Sequence, residues 1–248
     1  MELTVLNSSS LGNCYILQND AEALVIEAGV ALKDVKAAVD FNISKIVGVL
    51  VTHEHQDHAG HVNEFLKNRV QVFMSYGTFS KVLPEDYTGQ LPRYLRSLHK
   101  EIIGNFHVLP FDVKHDAAEP IGFLIHHPET GKVLFVTDSY YIPYNFDGLN
   151  NIIIEANYRM DILQANIDAG RIPGALRTRT LESHMSLDTC IEALQANDLS
   201  KVNNIVLIHL SDGNSNEKQF TKAVKDATGK TVYAAKKGLS IPFNKTPF

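Results

Sequence analysis

Residues 52–61, reading THEHQDHAGH, constrain this chain more than any other stretch. Within them His53, His55, Asp57 and His58 form the pattern H-x-H-x-D-H. Just ahead runs IVGVLV (46–51), an apolar, β-branched segment that reads as a buried strand. The histidines therefore sit on a loop at the C-terminal end of a strand, where a rigid scaffold can hold ligands. Neutral imidazole suits zinc and other first-row divalent ions, and a carboxylate adds charge. Three imidazoles and a carboxylate in so short a loop are too many for one ion to use without strain. The pattern therefore predicts two ions, His53 and His55 serving one, Asp57 and His58 the other. Two ions a few ångströms apart can clamp the attacking and leaving oxygens of a displacement. A histidine-rich surface turn would carry the same letters, but it accounts neither for the strand in front nor for the residues downstream.

Those residues are His115, Asp138 and His209. His115 follows a strand ending near Val113, Asp138 follows VLFV (133–136), and His209 follows NIVLI (204–208). A lone histidine at a strand end is more often a hydrogen-bonded structural residue. Four metal-competent placements of this kind in one chain reverse that reading.

The rest of the chain supplies the frame. Residues 2–6, 14–17 and 23–28 read as short strands, with SSSLGN (8–13) turning between the first two. A helix is expected over about 33–41 and another over 61–66, with a strand at 70–74. Residues 75–100 are less regular. Their cations Arg93, Arg96 and Lys100 read either as solvated surface or as a flap that meets substrate phosphates. Strands resume at 107–113. Residues 121–126 and 132–136 form a hairpin, and 151–155 is a further buried strand. A helix over 187–195 follows, with Ser186 as its N-cap. No Pro/Ser-rich linker divides the chain, so residues 1–248 read as one domain of two packed sheets flanked by helices.

Composition limits the function classes. Apolar residues make up 44% and charged residues 21%, ordinary for a globular chain. No apolar run approaches the roughly 20 residues that span a bilayer. The start, MELTVLNSSS, has neither the basic nor the apolar region of a signal peptide. Cys14 and Cys190 have no C-x-x-C spacing. A cytoplasmic protein with no membrane partner is expected. The net charge of −5 argues against a large DNA-wrapping surface. It leaves room for a local phosphate cleft, because bound divalent cations bring their own positive charge.

The H-x-H-x-D-H loop with His115, Asp138 and His209 in this order resembles the signature of the metallo-β-lactamase superfamily. The resemblance implies an αββα four-layer sandwich with its site at one edge of two mixed sheets. It implies that His53, His55 and His115 hold one metal, that Asp57, His58 and His209 hold the other, and that Asp138 bridges them opposite a water or hydroxide. Glu27 stands where the family's first motif has an aspartate, which puts in question the hydrogen bonds that orient the site. His61, His99, His107, His126 and His127 match no ligand position.

An aspartate at the bridging position points towards phosphoesterases. His184-Met185-Ser186, ahead of the His209 strand, is similar to a segment of the tRNA-processing RNase Z branch. The histidine there is thought to protonate the leaving oxygen, and His184 is assigned that role here, with Asp57 orienting the attacking hydroxide. A capping or buried-polar role ahead of helix 187–195 is the plainer alternative for His184. Over most of its length, except about 75–105, the chain is similar to the bacterial and phage YycJ-like (WalJ-like) metallo-hydrolases. The similarity includes SSSLGNCY (8–15), EANY (155–158), MDIL (160–163), 182–192 and 204–216. That family is associated with phosphodiester cleavage, including a proposed 5′-to-3′ exonuclease role on DNA. The chain has no room for the large inserted domain of the β-CASP nucleases.

The expectation is therefore a binuclear metal-dependent phosphodiesterase acting on nucleic acid, DNA before RNA, with zinc as the metal and manganese as the alternative. The same chemistry on a small cyclic nucleotide leaves every ligand unchanged. It differs in whether 75–105, Arg159, Arg177 and Arg179 make an extended track or close a small pocket. A non-catalytic metal-binding interaction protein is the alternative from another class.

Overall fold

The computed structural model describes residues 1–246. Fourteen strands form two sheets of seven. In the first, β1 (Glu2–Ser9), β2 (Gly12–Gln18), β3 (Ala23–Ile26), β4 (Ile46–Leu50), β5 (Val72–Met74) and β6 (Arg93–Tyr94) lie in sequence order. β14 (Ser240–Pro242) pairs outside β1. β1 to β3 are antiparallel, whereas β3 to β6 are parallel. The second sheet runs, from one edge, β7 (Glu101–Ile103), β8 (Phe106–Asp112), β9 (Ile121–His127), β10 (Gly131–Val136), β11 (Leu149–Glu155), β12 (Asn204–Ile208) and β13 (Thr231–Ala234). Its last four strands are parallel. Strands buried on both faces read as continuous apolar runs, which is why 133–136, 152–154 and 205–208 show no alternation.

The sheets pack through one apolar layer that includes Leu3, Tyr15, Leu24, Phe123, Phe135, Ile153 and Val206. On the outer face of the first sheet lie α1 (Leu32–Ala38) and α3 (Val62–Lys67), which bury Val35, Phe65 and Leu66 against Ile16, Val25 and Val49. On the outer face of the second lie α7 (Leu187–Gln195) and α8 (Glu217–Thr228), which bury Cys190, Leu194, Phe220 and Val224 against Ile152, Ile205 and Leu207. The result is the four-layer αββα sandwich expected from the sequence. Ser186 caps α7 as read, its hydroxyl accepting from the Thr189 N–H.

Some boundaries differ. The first helix ends at Ala38 rather than 41, because Asp40 and Phe41 take left-handed backbone angles. The helix expected over 61–66 is preceded by a short one, α2 (Gln56–Ala59), that carries Asp57 and His58. Residues 75–100 contain α4 (Tyr76–Val82), capped by Ser75, and the two-residue strand β6. Between β11 and α7 lie α5 (Met160–Asp168) and α6 (Ala175–Ser183).

Parallel pairing decides where the chemistry gathers. β4, β10, β11 and β12 all deliver their C-terminal ends to the same edge of the sandwich, and with them His53, Asp138, Glu155 and His209.

Candidate metal centre

Three ring nitrogens converge first. His53 Nε2 and His115 Nε2 each lie 3.1 Å from His55 Nδ1. The far side of two of these rings is already committed. Thr52 donates its hydroxyl proton to Glu27 Oε1 at 2.6 Å, so Thr52 Oγ1 accepts from His53 Nδ1–H at 2.9 Å. His115 Nδ1–H donates to the Ser183 carbonyl at 2.9 Å. This network assigns the protons to Nδ1 and leaves the Nε2 lone pairs of His53 and His115 aimed at His55. Burial also holds the pKa of both rings below the ordinary imidazole value, which favours the neutral ligand form. Converging lone pairs with at most one proton to share fit a cation.

A second set lies alongside. His58 Nε2 is 3.3 Å from Asp57 Oδ2 and 2.7 Å from Asp138 Oδ2, and His209 Nε2 is 3.2 Å from Asp57 Oδ2. Asp138 Oδ2 is also 3.4 Å from His53 Nε2, so one carboxylate oxygen stands between the two sets. Ligand atoms of His53, His55 and His115, and of Asp57, His58, Asp138 and His209, each fall within a span one ion could use. The residues present therefore fit two divalent ions.

In the second set the carboxylates favour charge on the rings. Burial would depress His58, but Asp138 and Glu27 outweigh it and raise its pKa well above the ordinary value. Asp138, Asp57 and Glu155 likewise push His209 up to about 9 against the effect of burial. Burial opposes ionisation of Asp57, yet hydrogen bonds from His209 and His58 hold it far below the carboxylate range.

The supporting shell answers the question raised by Glu27. Its longer carboxylate accepts from the Thr52 hydroxyl and the Thr52 N–H, and Oε1 lies 3.4 Å from His58 Nδ1. It thus braces His53 through Thr52 and faces His58 at ion-pair distance without a hydrogen bond. Gly29 makes the close approach possible: a Cβ there would fall 1.8 Å from the Asp57 carbonyl oxygen. Glu27, Asp138 and His209 all have positive φ (70°, 46° and 52°), a strained placement for residues with a Cβ, and all three stand where a strand gives way to the site.

His184 closes one side. Its Nδ1 lies 2.7 Å from Glu155 Oε1 and 3.2 Å from Asp138 Oδ1. Burial lowers its pKa, but Glu155 and Asp138 raise it to about 10. Glu155 is fully buried, and its Oε2 accepts from the N–H groups of Ser139 and Met185 at 3.2 and 3.1 Å. The sequence reading gave no role to Glu155. The available signal was its place as an acid ending a buried run, the same signal that drew attention to Asp138. Asn13 and Asn157 were also missed. Asn13 donates to the Asp57 carbonyl at 3.3 Å, and Asn157 donates to the His209 carbonyl at 2.8 Å.

His55, Asp57, His115, Asp138, His184 and His209 line a cavity of about 320 Å³, together with Ser10, Gln56, Asp116 and Arg179. Of the three arginines considered from sequence, Arg179 lies here. Arg159 and Arg177 line a separate groove, where Arg159 is held by Asp161 and Gln219. Of the remaining histidines, His61 pairs with Glu64 and His127 with Glu22, away from the centre.

Comparison with known proteins decides the family. The profile of the metallo-beta-lactamase superfamily matches residues 10–145, more than half of the chain. The chain belongs to the metallo-beta-lactamase superfamily. It is a metallo-β-lactamase-fold hydrolase, and its His/Asp clusters could hold two divalent ions. It is 28% identical over 232 residues to a protein named exodeoxyribonuclease YycJ from Bacillus anthracis, covering 88% of this chain and 85% of that one. It is 25% identical over 226 residues to exodeoxyribonuclease WalJ of Streptococcus pneumoniae, covering 86% and 82%. Among solved structures, the metallo-β-lactamase-fold protein YhfI from Bacillus subtilis superposes with a TM-score of 0.73 at 16% identity, covering 97% of this chain and 98% of that one. Among the described residues no helix is long and apolar enough to cross a membrane.

Proposed function

We propose that the chain is a binuclear metal-dependent phosphodiesterase that hydrolyses nucleic acid, DNA in preference to RNA, as a single catalytic domain in the cytoplasm. His53, His55 and His115 would hold one ion, Asp57, His58 and His209 the other, and Asp138 would bridge them. Zinc suits the three-imidazole set, and manganese is admitted by the oxygen-richer one. The observation that carries the reading is the position of Asp138 Oδ2 between His58 Nε2 and His53 Nε2, with His184 beside the same carboxylate. The two relatives named as exodeoxyribonucleases support nucleic acid as the substrate.

When bound, the ions would supply Lewis acidity towards the phosphoryl oxygens and the attacking water. The chain's own residues do the rest. The Asp57 carboxylate, held ionised by its neighbours, orients the attacking water and accepts its hydrogen bond. Glu155 fixes the proton of His184 on Nδ1, which leaves Nε2 to carry the proton given to the departing oxygen. Arg179, which lines the cavity 3.9 Å from Asp116, would meet a non-bridging phosphate oxygen.

The small cavity favours a second reading, a cyclic nucleotide as substrate, since among the three arginines considered only Arg179 reaches it. A panel with zinc or manganese separates the readings: end-labelled single- and double-stranded DNA and RNA, cyclic nucleotides, and bis-p-nitrophenyl phosphate. Turnover of DNA above RNA and above cyclic nucleotides is expected. Turnover confined to cyclic nucleotides would overturn the nucleic-acid reading. No turnover of any substrate by fully metal-loaded protein would instead favour a non-catalytic metal-binding module.

A further inference from the structure

The edge that carries the metal-competent residues continues past them. β4, β5 and β6 are parallel, so their C-terminal ends share that edge. β5 leads through Ser75 straight into α4, whose first residue is Tyr76, and Tyr94 ends β6. Both rings are open to solvent, Tyr76 at 62% and Tyr94 at 47%. They meet edge to face at 5.5 Å, and both touch Phe79, at 5.9 and 5.1 Å. Two strand spacings, about 10 Å, separate β6 from the strand that leads to His53.

This aromatic cluster is tied to the metal loop. The segment after His115 bridges them: Glu54, between His53 and His55, accepts from the Ala118 N–H at 2.8 Å. Glu119 in turn accepts from the Gly77 N–H at 2.6 Å, and its carbonyl accepts from Ser75 Oγ at 2.7 Å. On the other flank the Leu98 N–H donates to the Pro110 carbonyl, which holds residues 95–99 near the end of β8 that leads to His115. Arginines flank Tyr94 in sequence. Arg93 pairs with Glu101 at 3.0 Å. Arg96, two residues beyond Tyr94, is exposed and, among the described residues, makes no ion pair.

Single exposed aromatics need no explanation. Two open rings in one cluster, with the exposed cation Arg96 two residues after Tyr94, anchored to a phosphodiesterase centre, have the composition that binds single strands. Ring faces take bases and cations track the backbone. We infer that Tyr76 and Tyr94 form a base-stacking platform for a single-stranded segment of the substrate that runs from the cavity past His115, with Arg96 beside its phosphates. The inference rests on the nucleic-acid reading above and names the part of the substrate that this side of the site takes.

The test is steady-state kinetics of metal-loaded Tyr76→Ala/Tyr94→Ala on three substrates: a DNA strand of about a dozen nucleotides, a dinucleotide, and bis-p-nitrophenyl phosphate. KM for the long strand should rise about tenfold or more with kcat little changed. The two short substrates should be unaffected, and Tyr76→Phe/Tyr94→Phe should behave as wild type. A long strand whose KM does not move, in a chain that cleaves it, would remove the platform and leave the nucleic-acid reading standing. Equal losses on the dinucleotide would also remove it, by showing damage to the centre. A wild-type chain that hydrolyses bis-p-nitrophenyl phosphate but neither DNA substrate would remove reading and platform together. A wild-type dimer that the alanine variant converts to monomer in light scattering would assign this face to self-association instead.

Discussion

Replacing Glu155 by glutamine probes the acid end of the site while keeping its shape. In the wild type Oε1 accepts from His184 Nδ1–H at 2.7 Å, and Oε2 accepts from the N–H groups of Ser139 and Met185. A glutamine must give its single oxygen to those two amides, which turns its NH2 group towards His184, donor against donor. The lost charge-assisted hydrogen bond is worth about 1.5–3 kcal/mol. If that energy is what holds the ring with Nε2–H aimed at the leaving oxygen, turnover falls roughly 10- to 150-fold. The loss should be confined to substrates with a nucleoside alkoxide leaving group, which needs a proton. It should be small for bis-p-nitrophenyl phosphate, whose p-nitrophenolate leaves unprotonated. The sign of the pH effect also follows. Glu155 helps to raise His184 to about 10, so Glu155→Gln lowers that value and moves the alkaline limb of the profile to lower pH. His184→Ala should show the same leaving-group dependence with a larger loss, about 10²–10⁴-fold, and intact metal content. Equal slowing of both substrates by Glu155→Gln, with an unshifted profile, would refute the reasoning. It would make Glu155 a brace for the Ser139 and Met185 backbone only.

Two further outcomes follow from charge. Because the carboxylates hold protons on His58 and His209, ion binding must displace them, so apparent zinc affinity should rise with pH until His209 is neutral above about 9. Calorimetry in buffers of different ionisation enthalpy measures the protons released, and zero release would contradict this. Far from the site, buried Glu22 accepts from the Asn105 N–H and side-chain amide at 2.9 and 2.7 Å and lies 3.1 Å from His127 Nε2, which together outweigh burial and lower its pKa. A depressed folded value means its stabilisation is full above the unfolded pKa, about 4.3, and is lost as pH falls through the folded value. Glu22→Gln should cost about 1–3 kcal/mol at neutral pH in urea unfolding, and less in acid. A cost that does not change with pH would show that the charge plays no part.

What could be read in the sequence was what depends on short runs. The buried strands are β-branched and continuous, and the residues that end them, His53, Asp138 and His209, are chemically conspicuous. α7 could be placed because Leu187, Cys190 and Leu194 fall on one face behind a serine cap. α6 could not, since ALRTRTLES presents no apolar face and lies largely exposed. α8 buries only Phe220 and Val224, too narrow a stripe to stand out. β6 is two residues long and exists through its pairing with β5. The partnership of Glu155 with His184 spans 29 positions, and Tyr76 meets Tyr94 only because β5 and β6 are neighbours. Such pairs are properties of the topology, which no local pattern carries.

The proposed chemistry depends on one centre in which two ions would share Asp138. The most direct measurement is metal content per chain after reconstitution, in the wild type and in Asp138→Ala. About two ions are expected in the wild type and loss at both positions in the variant, because one carboxylate oxygen stands between the two ligand sets. A firm stoichiometry of one in the wild type, or a variant that loses a single ion and keeps the other at full occupancy, would contradict it.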